Sequence, residues 1–118
     1  MSDLRYLLEV WGADTRTVLH SVMNDEAFYL KMLREFAENS KIDLLNHALE
    51  KENYKEAFAL AHEIKGSAIT LGLKPLYTSV SRVVEDLRGV PMPVVYDDIE
   101  AVNLEFESFI EIMRSYMI

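Results

Sequence analysis

Apolar residues in this chain recur at the three- and four-residue spacing of α-helices almost everywhere. Alternating runs are absent, and no Asn-Gly or Asp-Gly hairpin signal occurs, so no strand is predicted. Leu4, Leu7, Leu8 and Trp11 fall on one face of a short first helix, with Ser2 as its cap and Gly12 as its end. Asp14 caps a second short helix that carries Val18, Leu19 and Val22. Asn24 caps a longer one, with Asp25 and Glu26 in its first turn, where carboxylates suit the positive end of the helix dipole. Tyr29, Leu33, Phe36 and Ala37 begin its apolar stripe, and Leu44, Leu45, Ala48 and Leu49 continue it. Ser40 followed by Asp43 is a restart signal that places a kink near Asn39.

Asn53 with Glu56 three residues on is a capping box for the next helix. That helix sets Ala57, Ala61, Ile64, Ala68 and Leu71 on one face. Gly72 is its left-handed stop, and Leu73 is the apolar contact that follows. Pro75 suits the first turn of a further helix with a stripe of Leu76, Val80, Val83, Val84 and Leu87, closed by Gly89. Val90-Pro91-Met92-Pro93 reads as a turn. A last long helix carries Ile99, Val102, Phe106, Phe109, Ile110, Met113 and Met117. Short connections between long helices favour antiparallel neighbours. The expected architecture is an all-α, antiparallel four-helix bundle with short N-terminal accessory helices, one domain over residues 1–118.

Composition narrows the function. The net charge of -8, with lysines and arginines scattered, excludes a nucleic-acid phosphate backbone as a partner. No apolar run reaches the roughly 18 residues that span a membrane, so no membrane role is predicted. The start, MSDLRYLLEVW, lacks the basic and continuously apolar parts of a signal peptide. With no cysteine there is no disulfide framework and no thiolate metal site. A cytoplasmic, free-standing, monomeric protein is the expectation.

The informative segment is AHEIKGSAITLG, residues 61–72. At about 100° per residue, the apolar positions from Ala57 to Leu71 cluster within roughly 80°, and His62 lies about 140° from Ala57. A helical histidine is most often a hydrogen-bonded residue tucked into the core, and this placement argues against that. Its surface neighbours Ala59 and Gly66 are small. A mid-helix glycine costs about 1 kcal/mol relative to alanine, which an external approach to the backbone beside His62 would explain. Phe58 and Ile69 flank the same surface, making a low-relief, partly apolar docking patch. Lys65 lies three residues on, placed to offset a phosphoryl group on the imidazole. Ser67 offers a further hydrogen bond, or a hydroxyl turned back to its own helix. Neutral imidazole is a nucleophile near neutral pH, and phosphoryl transfer needs positioning and charge stabilisation above all. No Gly-rich phosphate loop and no carboxylate cluster at metal spacing accompanies it.

AHEIKGSAITLG resembles the motif of histidine phosphotransfer (HPt) domains, a His-x-x-Lys-Gly-Ser/Ala core ending in Leu-Gly. Gly12-Ala13-Asp14 and the run from Asn24 to Phe36 resemble that family's upstream pattern. The resemblance implies a four-helix bundle with a short accessory helix. It implies that His62 carries phosphate on Nε2, with Lys65 and Gly66 as companions. The implied role is a phosphorelay intermediate without catalytic activity of its own, which accepts a phosphoryl group from a receiver-domain aspartate and passes it to another receiver. The implied partners are response-regulator receiver domains and a hybrid histidine kinase. No cofactor is its own, since the receiver supplies Mg²⁺. The departure is Val84, where some members place a polar residue that hydrogen-bonds the histidine ring; Ser81, Arg82 and Glu85 are the candidate substitutes.

Two other readings compete. A regulatory helical bundle that binds receiver or kinase domains without transferring phosphate would keep the surface, but the retention of His62, Lys65 and Gly66 together argues against it. A metal enzyme would need ligands at helical spacing. His20, His47 and His62 fall in different segments, and no His-x-x-x-His or Glu-x-x-His pairing joins them.

Overall fold

A computed structural model describes residues 2–117; the expectations for a cap at Ser2 and for burial of Met117 rest on side chains outside that description. Among the described residues there are seven helices and no strand: α1 (Ser2–Trp11), α2 (Thr15–Ser21), α3 (Glu26–Asn39), α4 (Ile42–Glu50), α5 (Tyr54–Thr70), α6 (Lys74–Leu87) and α7 (Val95–Met117). The protein is an all-α bundle. α5 packs along α6, α6 along α7 and α4 along α5, while α1 and α3 lean on α7.

The apolar stripes explain this packing. Leu4 and Leu8 of α1, Tyr29 and Leu33 of α3, and Leu45 of α4 are fully buried. So are Ala57 and Ala61 of α5, Leu76, Val80, Val83 and Val84 of α6, and Val102 and Phe109 of α7. Burial of each larger side chain contributes about 1.5–3 kcal/mol, so these stripes supply the main force for assembly. α5 contributes mostly alanines to this interior, which lets its backbone lie close to its neighbours. Trp11 seats α1 on α7: its indole N–H donates to Glu105 at 2.8 Å, and its ring lies 6.0 Å from Phe109.

Two expectations need correction. The helix after residue 24 is capped by Asp25, whose carboxylate accepts the Phe28 N–H at 3.0 Å. Asn24 sits instead at φ 61, a left-handed turn that asparagine tolerates. The expected long helix with a kink near Asn39 is two helices, broken at Lys41 with φ 66. The break resets the helical phase, so Ile42 is buried and Leu44, expected in the stripe, is 52% exposed.

The other capping signals hold. Asp14 accepts from the Thr17 N–H at 3.2 Å, and the Asn53 side chain both accepts from the Glu56 N–H and donates to the Glu56 carboxylate. Gly12 and Gly72 end their helices with positive φ, and proline stands in the first turn of α6.

Candidate functional site

α5 carries the candidate site because its two faces differ. Ala57, Ala61, Ile64 and Ala68 face the interior, and His62 is exposed on the outside, as the helical wheel requires. One turn before it, the Phe58 ring lies 6.1 Å from the imidazole, centroid to centroid, with planes at 35°. One turn after it, Gly66 faces open space: a Cβ built there meets no atom within 4 Å. No neighbouring helix therefore explains that glycine, and the approach it leaves open comes from outside the molecule. Ala59 and Ile69 are exposed on the same side of α5.

Two different surfaces meet at His62. Toward α3 lies an open groove of about 660 Å³, bounded by Met32, Glu35, Phe36 and Asn39 on one bank and by His62, Gly66 and Ser67 on the other. Toward α6 lies a ridge of aromatic rings carrying cations. Lys65 places its Nζ 5.7 Å from the centre of the Tyr77 ring, and Arg88 places its Cζ 5.5 Å from that of Phe58. The two candidate phosphate-supporting side chains thus stand on opposite sides of His62, Lys65 over Tyr77 and Ser67 in the groove. Ser67 makes no hydrogen bond among the described residues, whereas Ser79 and Ser81 bond back to their own helix.

Nothing polar orients the imidazole from α6. Val84 is fully buried. The Ser81 hydroxyl donates to the Tyr77 carbonyl at 2.6 Å, and Glu85 is paired with Arg88 at 3.3 Å. Arg82 is exposed, and no hydrogen bond reaches His62 from it or from any other described residue. His20 and His47 are exposed on α2 and α4. Among the described residues, no three His, Cys, Asp or Glu side chains gather where they would hold a metal ion.

The groove residues of α3 and the cation at Arg88 escape a reading of the sequence. Met32, Glu35, Phe36 and Asn39 share one helical face, which was a usable signal, but Phe36 reads as core. Arg88 has no local signal, because its partner Phe58 lies 30 residues away.

No helix among the described residues is long and apolar enough to cross a membrane. Residues 29–112, well over half of the chain, match the family model of the Hpt domain. Neither curated proteins nor solved structures gave a match. With that match spanning α3 to α7 and enclosing the exposed histidine of α5, the chain belongs to the Hpt domain family, whose members are phosphocarriers in two-component phosphorelays.

Proposed function

We propose that His62 is the phosphoacceptor, taking a phosphoryl group from the aspartyl phosphate of a receiver domain and passing it to another receiver. The observation that carries this reading is an exposed imidazole on a helix whose next turn, at Gly66, is open to an approaching partner. In the forward step Nε2 supplies the electron pair for the new N–P bond. The bond from phosphorus to the aspartate oxygen breaks, and the carboxylate leaves with its electrons. The second ring nitrogen keeps its proton. Passing the group on is the same step in reverse against a second aspartate.

The chain brings no cofactor. Mg²⁺ belongs to the receiver, where it offsets charge on the transferring oxygens. Lys65 is the cation on this side: swung off Tyr77 on its four-carbon stem, it neutralises phosphoryl oxygens at His62. The protein acts in the cytoplasm as a monomer without catalytic activity of its own, and its partners are receiver domains and a hybrid histidine kinase.

Incubation with a phosphorylated receiver domain tests the assignment. Wild-type protein acquires acid-labile label, and His62→Gln acquires none. Equal labelling of the two would sink the site, and no label on wild type would favour a regulatory bundle that transfers nothing. Lys65→Ala stays folded and transfers about fivefold more slowly, the loss of roughly one charge-assisted contact of about 1 kcal/mol. An unchanged rate and phosphohistidine lifetime would make Lys65 a solvated side chain only.

A further inference from the structure

An exposed imidazole flips between rotamers in picoseconds to nanoseconds. In-line attack on phosphorus requires its lone pair to be held within roughly 10–20° of the reaction axis. Some neighbour must bias the ring. The place for a polar partner on α6 is taken by buried Val84, and no described hydrogen bond reaches His62. What does lie against the imidazole is the ring of Phe58, at 6.1 Å and 35°. That separation is within the 4.5–7 Å range of interacting aromatic pairs.

Phe58 is itself held. It is partly buried against the core and shares a cleft with Tyr54, Leu87 and Pro91. Arg88 lies over its ring at 5.5 Å. The guanidinium is in turn tethered to Glu85 through Nη2–Oε1 at 3.3 Å and Nε–Oε2 at 3.4 Å. Carboxylate, guanidinium, phenyl ring and imidazole thus form one chain of contacts from the end of α6 to the outer face of α5.

We infer that Phe58 is the positioning residue for the His62 imidazole, by ring-on-ring packing where α6 offers no hydrogen bond, and that Arg88 acts through Phe58 by holding its ring. This rests on the reading of His62 as phosphoacceptor. Restricting the ring raises the fraction of docked complexes in which Nε2 faces the phosphorus, so the effect appears in turnover and not in receiver affinity.

Phe58→Leu keeps an apolar side chain and removes the ring, and Phe58→Tyr restores it. Two measurements decide. The first is the NMR order parameter of the His62 ring Cε1–H in the free protein. It falls in Phe58→Leu, falls less in Arg88→Ala, and returns in Phe58→Tyr. The second is transfer from a response-regulator receiver charged with acetyl phosphate. Turnover at saturating receiver falls about fivefold in Phe58→Leu, the equivalent of about 1 kcal/mol of aromatic pairing, with KM unchanged and Phe58→Tyr near wild type. Unaltered ring order in Phe58→Leu overturns the inference, as does a rise in KM alone, which would make Phe58 a docking surface. Arg88→Ala equal to wild type in ring order removes Arg88 from the chain of contacts. If wild type takes no label, the phosphoacceptor reading fails, while ring order still judges Phe58.

Discussion

The two ends of α6 are built in opposite ways. At its start, the connection from α5 is buried and clasped. Gly72 has φ 74, and a Cβ there would sit 2.6 Å from the Asp14 carbonyl and 2.8 Å from a Val18 methyl. The Asp14 N–H donates to the Gly72 carbonyl at 2.8 Å, and the buried Tyr29 hydroxyl donates to the Leu71 carbonyl at 2.8 Å. At its other end, Gly89 has nearly the same φ, 77, but a Cβ there would meet nothing within 4 Å. Val90 and Met92 stand exposed beside it. The carboxylates follow the same division. Hydrogen bonds from Thr17 hold the Asp14 carboxyl below its usual range. Burial, reinforced by the neighbouring Asp98 carboxylate, pushes Asp86 up to about 6. The start of the helix behind His62 is thus clasped by backbone contacts from the cap of α2 and a hydroxyl from α3. Its end is held by side-chain packing of Leu87 and Arg88 and by the Met92 N–H, which donates to the Asp86 carbonyl at 2.9 Å, leaving the Gly89 turn itself open.

The sharpest way to break this contrast is Gly72→Ala. It combines left-handed strain with an overlap that drives the Asp14 and Gly72 backbones apart, and we expect a loss of about 4 kcal/mol. Thermal unfolding would show it as a fall in Tm of roughly 15 °C or more. A fall of only a few degrees would mean that the clasp yields without cost. Gly89→Ala carries the strain alone, about 1 kcal/mol, and lowers Tm by roughly 4 °C. Equal effects at the two glycines would erase the comparison.

The third effect is one of pH. Asp86 has a folded pKa above its usual 3.8, so the folded state holds a proton that the unfolded state gives up between about 4 and about 6. The stability tied to that proton is fully present below about pH 4 and is lost as pH rises to about 6. Asp86→Asn cannot lose a proton, so its Tm gains on wild type as pH rises across that window. A difference that stays constant with pH would show that Asp86 does not titrate there.

Most of this architecture was legible in the sequence, for physical reasons. The alanine face of α5, the valine stripe of α6 and the stop at Gly72 each repeat one local rule over several residues, so neighbouring positions vote together. Single positions were harder. Asn24 and Asp25 are both good caps, and only the left-handed turn at Asn24 decides between them. Leu44 was misplaced because a left-handed Lys41 shifts the helical phase, and lysine carries no signal for that conformation. At the site, the outward placement of His62 and the opening at Gly66 follow from the wheel. The α3 groove and the Arg88–Phe58 contact join residues far apart in sequence; the shared face of Met32, Glu35, Phe36 and Asn39 is a local cue to one bank, but nothing local pairs it with α5 or Arg88 with Phe58.

The seat of α1 has a practical consequence in optics. Trp11 is the sole tryptophan, bonded to Glu105 and packed near Phe109, far along the chain from the histidine. Its emission therefore reads whether the N-terminal helix is docked on α7. Substitutions around His62 can be monitored by an intrinsic lamp at another place in the fold, so that a silent fluorescence trace separates lost chemistry from lost structure.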